Sequence, residues 1–165
     1  MTDNKPIDSL LECLLLVALG HGRPLSRDAA LAGLPVVDGR LTPALFERSA
    51  ERAGLSVKHV RSRLAELDAS VTPLIALLKD DSAAVVLSID REAGLVRLRE
   101  PALGGAEAEV MLDSFESRCS GQWLLIRADF RFDARTPEVG QHQPRHWFWG
   151  VMRDNLPLYR DALSA

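Results

Sequence analysis

The hydrophobic period of this chain changes once, at Gly54, and that change limits the fold more than any other feature. Before it, Ile7, Leu10, Leu11, Leu14, Leu15 and Ala18 recur at three- and four-residue spacing, and Gly20 and Gly22 stop the run. That is the pattern of one buried helix face. Ser26 is placed to N-cap a short helix through Leu31, ended by Gly33 and Pro35. Thr42-Pro43 opens a third helix, with proline in its first turn, running to about Ala53. Leu45, Ala50 and Ala53, with Phe46 beside them, supply its apolar face. After Gly54, Leu55-Ser56-Val57-Lys58-His59-Val60 alternates as a half-buried strand does. Residues 73–78 and 83–89 are continuous apolar runs of buried-strand length, separated by Lys79-Asp80-Asp81-Ser82, a polar turn of hairpin length. Leu95 to Arg99 alternates again, and Trp123 to Arg127 forms a last strand after Ser120-Gly121. Helices followed by antiparallel strands predict an α+β domain. No 34- or 40-residue repeat is present, which argues against a helical solenoid.

A chain of 165 residues has the size of one domain with a real core. Its net charge of −3 provides no basic field, so nucleic acid is not an expected partner. Cys13 and Cys119 stand in no CxxC pair and near no histidine cluster, which predicts two free thiols rather than a disulfide scaffold or a zinc site. Residues 1–8 are polar, without the apolar segment of a signal peptide, and the longest apolar run, Leu14 to Leu19, is far shorter than the ~20 residues that span a bilayer. A soluble cytosolic chain is expected.

The C-terminal part has another character. Residues 131–146 are polar, with Pro137, Gly140 and Pro144, and read as a linker after a domain at 1–130. Residues 147–165 then carry Trp147, Phe148, Trp149 and Tyr159 with Arg153 and Arg160, an amphipathic segment suited to a membrane interface.

Several segments in order resemble the papain-like, double-glycine peptidase domains at the N-termini of bacteriocin-processing and type I secretion ABC transporters. The family's nucleophile helix reads Asp/Glu-Cys-Gly-x-x-Cys, then an apolar run closed by Tyr-x-Gly or His-Gly. Here Asp8 and Cys13 stand five apart, and His21-Gly22 closes the run. The family's catalytic cysteine falls on Ser9, its histidine on Ala83 in the segment Ala83-Ala84-Val85-Val86-Leu87, and its orienting aspartate on Glu100 of Glu100-Pro101-Ala102-Leu103-Gly104. The oxyanion glutamine falls on Asp3. Residues 111–121 resemble the helix leading into the final strand. The closing Trp147-Phe148-Trp149-Gly150 and Leu156-Pro157-Leu158-Tyr159-Arg160-Asp161 resemble the juncture before the membrane domain in exporters of repeat-in-toxin proteins and adhesins.

The resemblance implies a papain-like fold and a transporter whose own transmembrane and nucleotide-binding domains, dimeric when assembled, use ATP and magnesium. No cofactor is implied in this domain. A membrane fusion protein and an unfolded secretion substrate are the implied partners, at the cytoplasmic face of the inner membrane of a Gram-negative bacterium. Peptidolysis by this fold needs an imidazole to make the nucleophile, and Ala83 supplies none; Asp3 would repel an oxyanion. The expectation is therefore a domain that is not an enzyme and docks its cargo, by pairing an extended peptide along a strand. A leader peptidase or other hydrolase using Ser9, and a free-standing cytosolic adaptor, are the competing readings. His21 is expected to lie at a helix end and His59 in solvent, with His142 and His146 in the linker and no metal site formed by any of them.

Overall fold

The computed structural model describes residues 7–129 of the chain. Expectations that fall on Asp3, on the linker and on Trp147, Phe148, Trp149 and Tyr159 lie outside the described residues. Three helices come first: α1 (Ser9–Gly20), α2 (Arg27–Leu31) and α3 (Pro43–Ala50). Their starts follow from local chemistry. The Asp8 carboxylate accepts the Leu11 N–H at 3.1 Å and the Ser26 hydroxyl accepts the Ala29 N–H at 3.2 Å, while proline opens α3. The third helix ends at Ala50, earlier than expected, and one 3-10 turn, Glu51–Ala53, carries the chain to Gly54 at φ 65°. The charges Glu47, Arg48, Glu51 and Arg52 of this region are exposed, as a solvated face would be.

Six strands form one antiparallel sheet in the order β1-β6-β2-β3-β4-β5. They are β1 (Leu55–Arg61), β2 (Leu74–Leu78), β3 (Ala83–Asp90), β4 (Leu95–Arg99), β5 (Glu107–Met111) and β6 (Cys119–Ala128), and α4 (Leu112–Arg118) precedes the last. The α+β expectation holds. The apolar runs of β2 and β3 are continuous because both faces of the sheet are covered. Ile75, Ala83, Val85, Leu124 and Ile126 pack with α1–α3 on one side. Leu74, Ala76, Ala84, Val86 and Trp123 pack with Phe115 of α4 on the other.

Two features went unexpected. Strand β5 is almost wholly exposed, so no hydrophobic period announced it. Ser120-Gly121, expected to precede the last strand, lies inside it: Gly121 has φ 81° and the β2–β6 register shifts at Leu77/Leu78, the signature of a bulge. At the far end of β6, Arg23 donates to the carbonyls of Ala53 (3.2 Å), Gly54 (2.6 Å) and Asp129 (2.8 Å), binding the loop after α1 to the end of the sheet.

Candidate functional site

A cleft of about 550 Å³ opens between the N-terminus of α1, the 37–43 loop and the β2–β3 turn. Leu10, Leu41 and Leu77 line it, with Arg40, Lys79, Asp38 and Asp81 as charged members. Asp38 and Asp81 both adopt positive φ, 54° and 61°, a conformation aspartate tolerates better than most residues. Asp8 builds one wall: besides capping α1, its second carboxylate oxygen accepts the Leu41 N–H at 2.5 Å, which ties the 37–43 loop to the helix.

Ser9 and Ala83 meet inside this cleft. The Ser9 hydroxyl oxygen accepts the Ala83 N–H at 3.0 Å, and both residues are buried. The ladder explains why that N–H is available. Leu78 N donates to Ser82 O, so pairs of matching parity on β2 and β3 exchange hydrogen bonds and the Leu77/Ala83 pair does not. On the other side β4 stops at Arg99, opposite Val85, before it reaches Ala83. The serine supplies the acceptor that the sheet lacks.

Glu100 lies one residue beyond β4 and is 6% exposed, but its carboxylate does not line the cleft. It accepts from both terminal nitrogens of Arg118 on α4, each at 2.8 Å. That bond pair also holds the Arg118 guanidinium more firmly protonated than usual. Of the three triad positions read from the resemblance, the structure joins two directly and engages the third with an arginine that no sequence pattern indicated. Asp8 had a legible signal as an acidic residue just before an apolar helical run; its second bond to Leu41 had none.

The remaining titratable groups are quieter. Cys13 and Cys119 are free and buried, and burial pushes both thiols up, that of Cys119 to about 12. His21 sits at the end of α1, with its Nε2 buried and without a partner among the described residues, and His59 is exposed on β1. No helix among the described residues is long and apolar enough to cross a membrane.

The fold is shared with the N-terminal peptidase C39 like domain of the toxin secretion ATP-binding protein from Vibrio parahaemolyticus. The two are 31% identical with a TM-score of 0.71, over 76% of this chain and 100% of that one. A double glycine motif protease from an AMS/PCAT transporter, solved with its leader peptide, is 13% identical with a TM-score of 0.61, over 78% of this chain and 89% of its own. The peptidase domain of Streptococcus ComA is 14% identical with a TM-score of 0.62, over 74% and 92%. No family profile and no curated protein sequence matches the chain.

These likenesses confirm the papain-like fold and overturn one expectation. The chain was expected not to be an enzyme, yet the structures it resembles include a protease and a peptidase domain. That expectation rested on the missing imidazole at Ala83 and on the charge of Asp3, and Asp3 lies outside the described residues. Residue types at single positions state which groups are present; whether a bound peptide is cut depends on the whole cleft.

Proposed function

The chain belongs to the peptidase C39-like domain family, and we propose that it serves an ABC exporter by docking an unfolded stretch of the protein to be exported, a repeat-in-toxin protein or adhesin. The observation that supports this reading is the match over the whole of the domain from a toxin secretion ATP-binding protein, at 31% identity, against 13% for the double glycine motif protease and 14% for the ComA peptidase domain. In the assembled exporter the partners are the transmembrane and nucleotide-binding domains, which use ATP and magnesium, and a membrane fusion protein. The site of action is the cytoplasmic face of the inner membrane.

Docking by this mechanism favours cargo whose backbone is exposed. Calcium folds the repeats of such cargo and hides the groups a docking strand would use, so the calcium-free state is the one retained. Removing residues 1–129 from the exporter tests the reading: export stops while the remainder still inserts and hydrolyses ATP. Undiminished export by the truncated transporter would sink it. Mass spectrometry of cargo recovered from the intact domain reads, in the same experiment, whether it leaves whole or cut.

A further inference from the structure

Strand β1 is one of the two edges of the sheet, with no strand beyond it among the described residues. The bonds at its ends reveal which backbone groups face outward. Ser62 N donates to Gly121 O at 3.1 Å, and Asp129 N donates to Gly54 O at 2.9 Å. Both pairs continue the register that sets Leu55 opposite Ala128 and Arg61 opposite Gln122. In an antiparallel ladder, opposed pairs alternate between exchanging both hydrogen bonds and exchanging none. The even-numbered residues of β1 therefore bond to β6, and the N–H and C=O groups of Val57, His59 and Arg61 point to the open side. No described residue bonds to them there.

The charge along this edge has one sign. From Leu55 to Ser62 the chain carries Lys58 and Arg61, with the imidazole of His59 between them, and no acid; Arg127 lies opposite Ser56 on β6, and Arg63 follows the strand beside Glu66, whose carboxylate accepts its backbone N–H at 3.2 Å. None of these cations is in a salt bridge among the described residues. This is a local excess in a chain of net charge −3. The other edge differs, since Glu107 of β5 is held by Arg97 and Arg99 at 3.3 and 3.7 Å. Charged edges commonly guard a sheet against pairing with copies of itself. A cationic edge does that, and it leaves an anionic strand as the occupant it attracts.

We infer that the β1 edge docks an acidic, extended segment of an unfolded protein as an added strand. The inference rests on the docking function proposed above and assigns it a surface outside the cleft. Main-chain bonds to Val57, His59 and Arg61 supply binding that tolerates many sequences, while the cations select for acidic content. Lys58 and Arg127 project from one face of the sheet and His59 and Arg61 from the other, as alternation along a strand requires. Both faces of an incoming strand thus meet positive charge, so acidic content matters more than its spacing.

The test uses the whole 165-residue chain and a capped Glu-Val-Glu-Val-Glu-Val-Glu peptide at low salt, read by amide hydrogen exchange. The expected result is slowed exchange at Val57, His59 and Arg61, with Lys58 and Val60, already in the ladder, unchanged. The Lys58→Glu/Arg61→Glu variant should lose at least about tenfold in affinity, because two exposed attractions become repulsions. No binding of the glutamate peptide, equal binding of a Lys-Val counterpart, or protection at other strands would overturn the inference. Concentration-dependent protection of the edge without peptide would assign it to a second copy, with the same consequence. Full retention of a calcium-free export segment by the variant would overturn the edge assignment and leave docking standing, whereas failure of that segment to bind the unaltered chain would bring down docking itself.

Discussion

The Ser9 hydroxyl and the Ala83 amide form a single buried hydrogen bond of 3.0 Å that joins residues 74 apart in sequence. It fastens the start of the first helix to the start of a central strand, across the floor of the cleft. Ser9→Ala leaves the Ala83 N–H buried without an acceptor. Such a loss costs about 1–3 kcal/mol. Urea unfolding should show a lowered midpoint with an unchanged slope, and Ser9→Thr, which keeps the hydroxyl, should recover part of the loss. A midpoint equal to that of the unaltered chain would show that the bond is not needed.

Glu100 and Arg118 are unequally placed, and that inequality is testable. The carboxylate is 6% exposed, whereas the arginine side chain is 41% exposed. Arg118→Ala strands a buried charge; Glu100→Gln frees a guanidinium that can turn to water. Breaking a fully buried pair costs about 3–5 kcal/mol. Solvent at the arginine lowers that here, to about 2–3 kcal/mol for Arg118→Ala and about 1 kcal/mol for Glu100→Gln. Thermal or urea unfolding of the two variants should rank them in that order.

The buried thiols impose a limit at high pH. Burial raises Cys119 from 9.0 to about 12, and Cys13 is raised in the same direction by burial and then by Glu12 and Asp8. In the unfolded chain both ionise near 9.0. The stability they contribute is whole below that pH and is lost as pH rises from about 9 towards 12. The urea midpoint should fall between pH 8.5 and about 10.5 more steeply in the native chain than in a Cys13→Ala/Cys119→Ala variant. Alkylation of the folded protein at pH 8 should run at least about a hundredfold slower than in urea, in line with the depleted thiolate.

Much of this architecture is legible in the residues, and the exceptions have physical causes. Helix starts at Ser26 and Pro43 and the apolar runs of β2 and β3 are local signals, set by capping and by burial of both sheet faces. Strand β5 carries Glu107 and Glu109 and buries only part of Val110, so it is held mainly by its ladder to β4. Gly121 resembles a strand break because a bulge and a break both use glycine at positive φ. At the site, the proximity of Ser9 and Ala83 follows from the resemblance. The Arg118 partner of Glu100 and the Arg23 clamp are long-range pairings that no local pattern encodes. The expectation of a non-enzyme failed for a different reason, because it inferred the behaviour of an assembled cleft from single residue types.

The docking account is tested most directly by calorimetric titration of the 165-residue chain with an export segment, once calcium-free and once folded by calcium. A cargo that must pass into a channel has to leave quickly, and ordering a disordered chain costs several kcal/mol. The expected dissociation constant for the unfolded segment is therefore about micromolar or weaker, about −8 kcal/mol or less favourable. The calcium-folded segment should give no measurable heat of binding at the same concentrations. Equal affinity for the two states, or no binding of the unfolded one, would contradict the account.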